Sequence, residues 1–234
     1  MDAAPGSCER NVHYVDGPAG TGKTHLYKKV LHYVRMTGRI ALAVAMSGIA
    51  ALLLPGGRTA HSRFRLPVPV PLEGCKSSIK AQSLAARIMR DAALLVWDEA
   101  PTAPKAMFEA VDLLLRDVRG TDQPFGGLPV LLGGDFRQIP PVLRHIDRDG
   151  VACHTLIALS WWRNDHVLRF SLEKNMRAQY DAAYASFCLS VGNGDAAAPE
   201  SDAHTDLESA VIALPWQAAD NDISNPLDIS TSLG

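Results

Sequence analysis

Gly17-Pro-Ala-Gly-Thr-Gly-Lys-Thr24 is the stretch on which the fold turns. It fits the phosphate-loop pattern of a glycine, four free positions, then Gly-Lys and a hydroxyl residue. Val12, Tyr14 and Val15 before it read as the end of a buried strand. After it, Leu26, Tyr27, Val30, Leu31 and Val34 recur at helical spacing, and Gly38 is placed to stop that helix. A strand, a glycine-rich turn and a helix start aim several backbone N–H groups at one point, which attracts a polyphosphate. On this reading Gly17, Pro18, Ala19, Gly20, Thr21, Gly22, Lys23 and Thr24 cradle a nucleotide. Lys23 neutralises the outer phosphates of ATP, and the Thr24 hydroxyl ligates Mg²⁺.

Working outward, Ile40 to Met46 is a continuous apolar run suited to a strand buried on both faces. Ser47 to Leu54 reads as a short helix ending before Pro55. Arg58 to Leu72 is proline-rich and is expected to be an extended, solvent-facing excursion. Ser78 to Arg90 returns to helical spacing through Ile79, Leu84, Ala85, Ile88 and Met89. Ala92 to Trp97 is the next buried strand, and it ends in Asp98-Glu99. Lys105 to Arg119 forms an amphipathic helix, with Met107, Phe108, Val111, Leu114, Leu115 and Val118 on one face. Leu128 to Leu132 is a further strand ending at Gly133-Gly-Asp135, and His166 to Leu172 is another. Strands alternating with helices predict an α/β domain, its mainly parallel central sheet flanked by helices. Ligands of such sheets gather at the carboxyl ends of the strands. The expected organisation is a leader over 1–10, the α/β domain over 11–194, and an acidic, weakly structured tail over 195–234. That tail also reads as the start of a second domain.

At 234 residues and 47% hydrophobic content, the chain can bury a core of ordinary size. It has no apolar run of about 18 residues, so no membrane-spanning helix is expected, and its start lacks the apolar centre of a secretory signal. Cys8, Cys75, Cys153 and Cys188 are scattered without a C-x-x-C pair. They read as reduced, intracellular cysteines rather than a metal site or a disulfide frame. The net charge of −2 is unevenly spread, because all 23 Lys and Arg lie within residues 1–177. The basic excess is sharpest where Arg58, Arg63, Arg65, Lys76, Lys80, Arg87 and Arg90 face only Glu73. Such a patch can follow a phosphate backbone, although a solvated surface looks the same on charge alone.

The strand ends supply the chemistry. In phosphate-loop enzymes a carboxylate placed like Asp98 holds Mg²⁺, and its neighbour, here Glu99, activates the attacking water. Gln138, with a donor and an acceptor, suits sensing the γ-phosphate or aligning that water. Arg177 can stabilise charge on the transferring phosphate. Read singly, Asp98-Glu99 is a strand stopping in solvent, Gly133–Gln138 a tight turn and Arg177 a surface arginine.

Seven segments in order carry a resemblance: Gly17–Thr24, Ser47–Ala51, Thr59–Ser62, Trp97–Pro101, Phe125–Gly127, Gly133–Gln138 and Leu172–Arg177. Over about Asn11 to Gly194 the chain resembles the petite-integration-frequency DNA helicases of superfamily one, most closely the branch found in Helitron transposons. The resemblance implies a RecA-like domain that binds ATP and Mg²⁺ through Lys23, Thr24, Asp98, Glu99, Gln138 and Arg177. It implies movement 5′ to 3′ on single-stranded DNA, with Ser47, Gly48, Thr59, His61, Phe125 and Gly126 towards the DNA track and Arg58 in the basic stretch beside them. Only the first of the family's two RecA-like domains is matched, so a second domain or a partner chain is expected to supply the other half. The implied work is DNA repair, recombination, telomere maintenance or transposon replication, in the nucleus or the mitochondrion. Two other readings remain open at this point: a remnant that binds ATP and single-stranded DNA without unwinding, and a different phosphate-loop enzyme such as a small-molecule kinase.

Overall fold

The computed structural model describes residues 10–138, 141, 151–163, 167–178 and 180–193. The expected strand segments form strands: β1 (Val12–Asp16), β2 (Ile40–Ala45), β4 (Ala92–Asp98), β5 (Val130–Gly134) and β6 (Val167–Ser171). A two-residue strand, β3 (Arg58–Thr59), completes a sheet of order β3-β2-β4-β5-β1-β6. Every pairing in it is parallel. Parallel strands need crossovers over the faces, so the inner strands β2, β4 and β5 are covered and nearly all apolar, whereas the edge strand β6 is largely exposed.

Within β2, successive side chains serve opposite faces. Ala41 and Ala43 join Tyr27 and Leu31 of α1 (Lys23–Met36), while Leu42 and Val44 join the larger cluster on the other side. That larger cluster is built on α4 (Leu84–Asp91) and α5 (Lys105–Arg119). Helix α5 stops at Gly120, whose φ of 66° is the left-handed geometry that glycine adopts at no steric cost. A chain of aromatic contacts runs through this layer, from Phe64 to Trp97 (5.9 Å), Phe108 (4.5 Å) and Trp161 (6.3 Å).

Two expectations are corrected. The excursion over Arg58–Leu72 is solvent-facing only in its later part. Arg58 and Thr59 pair with Val44 and Ala45, Ala60–Phe64 is helical (α3), and Ala60, Phe64 and Leu66 are buried. Phe64 packs on the Trp97 ring, and both side chains are fully buried, which draws the start of the excursion into the core. The helical spacing from Ser78 becomes helix only at Leu84, because the Ser83 hydroxyl accepts from Ala86 N–H and caps α4 there. The chain divides into two compact units, one ending at Arg177 and a second beginning at Ala178. A short helix, α6 (Ser160–Arg163), precedes β6 in the first unit, and α7 (Ala182–Asn193) belongs to the second. The expected leader, apart from Arg10, and the expected tail lie outside the described residues. Among the described residues no helix is long and apolar enough to cross a membrane.

Candidate active site

Because the sheet is parallel, its strand carboxyl ends share one edge. There β1 passes through the phosphate loop into α1, β4 leads to Glu99, β5 to Gln138, and β6 to Arg177. A cavity of about 370 Å³ opens at this edge, and Lys23, Thr24, Asp98, Glu99, Gln138 and Arg177 all line it. The six nucleotide-site side chains expected from the sequence are thus brought to one place. Of the loop itself, Ala19, Gly20 and Gly22 reach the cavity wall, while Gly17, Pro18 and Thr21 shape the turn from behind.

Helix α1 begins after Gly22 (φ 94°) with no side-chain cap, so its first N–H groups are left for a ligand. The loop backbone is held by Gly17 N–H donating to Gly134 O (3.3 Å) and Thr21 N–H to Pro18 O (3.4 Å). The segment after β6 closes on the loop: Met176 N–H donates to Gly20 O at 2.9 Å. A side chain at position 20, where φ is +85°, would come within 2.5 Å of Asn175 Oδ1. Glycine is required there by both conformation and space.

The Lys23 ammonium donates to the carbonyls of Gly17 and Pro18. Burial lowers its pKa, and the carboxylates of Asp135, Asp98 and Asp16 pull it partly back. A partly desolvated ammonium facing this loop gains most from an incoming phosphate.

Asp98 is almost fully buried, and burial pushes its carboxyl above the ordinary value. The Glu99 N–H, donating to Asp98 Oδ1 at 2.9 Å, and the Lys23 charge act against that rise. A divalent cation would offset the remaining cost of burying this charge. Among the described residues no group of three His, Cys, Asp or Glu could hold a metal. One carboxylate and one hydroxyl, Asp98 and Thr24, nevertheless suit Mg²⁺ when phosphate oxygens and water complete its shell.

Glu99 follows in left-handed geometry (φ 56°), uncommon for a residue with a side chain. Its carbonyl accepts from Thr102 N–H (3.1 Å) and Thr102 Oγ1 (2.8 Å), which hold the turn. Its carboxylate Oε2 accepts from the hydroxyl (3.0 Å) and N–H (3.3 Å) of Ser47.

The Gly133-Gly134 pair is explained by packing rather than by chemistry. A Cβ on Gly133 would run into the Tyr27 hydroxyl, and one on Gly134 into the Pro101 ring. Beyond them Asp135 is buried, lines the cavity and binds Arg137 (3.2 Å), which also reaches Asp16 (3.5 Å). Asp135, His25 and Thr102 are cavity residues that the sequence reading did not single out. Asp135 carried a usable signal, since it stands at a strand end just as Asp98 does.

The residues expected towards DNA are not gathered in this way. Phe125 and Gly126 are buried: Phe125 N–H donates to Asp112, Arg119 Nε donates to Gly126 O (2.7 Å), and the Phe125 ring packs on Trp161 (5.2 Å). That turn braces α5, so its ring is not offered to a base. Thr59 caps α3 through Ser62 N–H (3.3 Å), and His61 is half-buried, its pKa lowered by burial. Arg58, Gly48 and Ser47 are exposed. Of the basic stretch, Arg63 is half-buried and binds Gly56 O (3.1 Å), Arg90 binds Val118 O (3.0 Å), and Arg87 lies beside Asp91 (3.8 Å). Arg58, Arg65, Lys76 and Lys80 remain as exposed cations. Phe64, the nearest aromatic to that stretch, is an anchor under Trp97 rather than a stacking surface.

The sequence profile described as PIF1-like helicase matches residues 4–202. The human ATP-dependent DNA helicase PIF1 is 32% identical over 132 residues, which is 56% of this chain and 20% of that protein. The ATP-dependent DNA helicase Pif1 of Psychrobacter sp. is 31% identical over 130 residues, 55% of this chain and 20% of that protein. The solved structure of a Bacteroides Pif1 helicase in complex with ADP-AlF3 and ssDNA superposes with a TM-score of 0.69 at 25% identity. That match covers 82% of this chain and 44% of the other. The chain therefore spans about a fifth of the length of these two curated relatives.

Proposed function

The chain belongs to the PIF1-like helicase family, and from that premise we propose that it is the ATP-hydrolysing domain of a DNA helicase. The observation that carries the reading is the convergence of Lys23, Thr24, Asp98, Glu99, Gln138 and Arg177 on one cavity. Lys23 and the loop backbone hold the β- and γ-phosphates of ATP. Thr24 and Asp98 hold Mg²⁺, which draws negative charge off the phosphate oxygens when bound. Glu99 takes a proton from the attacking water, Gln138 orients that water, and Arg177 steadies the charge on the transferring phosphoryl group.

Single-stranded DNA is the proposed track, followed 5′ to 3′, with a second RecA-like domain or a partner chain forming the other half. The names of the relatives, ATP-dependent DNA helicases, and the neighbour solved with ssDNA support the DNA track. Repair, recombination, telomere maintenance or transposon replication are the settings in which such a motor would work.

ATP hydrolysis measured with and without single-stranded DNA tests the reading. The parent should hydrolyse ATP and be stimulated by the oligonucleotide. Glu99→Gln should still bind ATP but lose roughly 10²–10⁴ in rate. Hydrolysis by that variant at the parent rate removes Glu99 as the base. A parent that binds nucleotide and DNA without turnover is the binding remnant instead.

A further inference from the structure

Glu99 is held at more points than a strand end requires. Its N–H is fixed by Asp98 Oδ1 and its carbonyl by two donors of Thr102. Its carboxylate oxygen Oε2 is fixed by two donors of one residue, Ser47, 52 positions away at the end of β2. The Ser47 hydroxyl has one proton, and that proton goes to Glu99. Its acceptor side takes the Ala50 N–H at 3.1 Å, capping α2 (Gly48–Leu53). Ser47 does not line the cavity, whereas Glu99 does. One carboxylate oxygen is thus tied to the protein framework while Glu99 lines the cavity.

We propose that Ser47 is a positioning residue for ATP hydrolysis, clamping Oε2 of Glu99 so that Oε1 is presented to the attacking water. This rests on the hydrolytic reading given above. In the step it serves, the water oxygen bonds to the γ-phosphorus and the bridging β–γ oxygen leaves with ADP. The water proton passes to Oε1. An unclamped carboxylate on a left-handed backbone turn would sample several rotamers, and misplacing a base by an ångström is enough to cost large factors in rate. Ser47 thereby becomes part of the hydrolytic apparatus through Glu99, without touching substrate.

The cap and the clamp separate by substitution. Ser47→Ala loses the cap and the hydroxyl half of the clamp, leaving only the backbone N–H on Oε2, Ser47→Thr keeps both, and Ser47→Asp keeps the cap but sets a carboxylate against Glu99. The expected result is a kcat loss of about tenfold or more in Ser47→Ala and Ser47→Asp. ATP affinity should stay within about twofold of the parent, and Ser47→Thr should be close to the parent in rate. In the Glu99→Gln background, Ser47→Ala should lower the residual rate no further, because the clamped carboxylate is already gone. Unchanged or faster hydrolysis in Ser47→Ala overturns the proposal, and so does a loss that persists in the Glu99→Gln background. A parent that binds ATP yet never hydrolyses it, with or without oligonucleotide, defeats the hydrolytic reading rather than the clamp. The ¹³C-carboxyl resonance of Glu99 then decides the clamp on its own. A signal moved by Ser47→Ala and restored by Ser47→Thr supports it, and a signal that neither variant moves overturns it.

Discussion

Single residues at the strand ends do two kinds of work, and the distinction sets what their replacement does. Lys23 sits against its own loop carbonyls with a pKa lowered by burial, so its charge is expensive until a phosphate arrives. Lys23→Ala should weaken ATP binding by well over tenfold, or about 1.4 kcal/mol and more, in a direct nucleotide titration. Unchanged affinity there would refute the phosphate-loop assignment. His61 makes a pH prediction. Burial lowers its pKa, so the folded protein takes up the proton less readily than the unfolded chain. The stability that comes from keeping it neutral is full above the ordinary imidazole value and is lost as pH falls through that value towards the folded one. Thermal melts compared between about pH 7.5 and 5.5 should show a smaller fall in Tm for His61→Gln than for the parent. An identical fall would show that His61 titrates in the folded state as it does in the unfolded chain.

At the scale of elements, the segment after β2 is the clearest case of packing overruling local composition. Prolines and basic residues argue for a loop, yet β3 and α3 fold back so that Phe64 lies fully buried on Trp97. Phe64→Ala should therefore cost about 3–5 kcal/mol in denaturant unfolding, a core-sized loss. A cost near zero would mean that the ring is dispensable cover. The Phe125–Gly127 turn is a second instance: all three residues adopt positive φ, and the turn braces α5 through Arg119 and Asp112. Left-handed conformation in three successive residues, one of them phenylalanine, is sustained only where surrounding contacts over-determine it.

For the whole molecule, charge is what would link the fold to the proposed DNA track, and the structure thins that charge. Arg63 and Arg90 bond backbone carbonyls and Arg87 pairs along its helix, leaving Arg58, Arg65, Lys76 and Lys80 exposed in the stretch. A few phosphate contacts give weak binding that declines steeply with salt. Charge reversal at Arg58 and Arg65 together should abolish low-salt binding of single-stranded DNA while leaving ATP affinity nearly unchanged. Salt-insensitive binding by the parent would move the contact away from this stretch. The same reversal at Arg63 would test something else, because that side chain is half-buried on Gly56 and its loss should lower stability.

Sequence by itself determined the phosphate loop, the parallel α/β class and the carboxyl-end position of Asp98, Glu99, Gln138 and Arg177. Each of those is written in contiguous residues: a glycine pattern, a run of apolar side chains, a polar residue where the run stops. Tertiary structure alone decided which glycines serve packing, as Gly133 does against Tyr27, and which arginines serve the fold. It alone brought Ser47 to Glu99 and put Phe64 under Trp97. Those relations join residues tens of positions apart through the order of strands in the sheet. Local periodicity carries no information about strand order, because it reports only which face of an element is apolar and not what that face will meet.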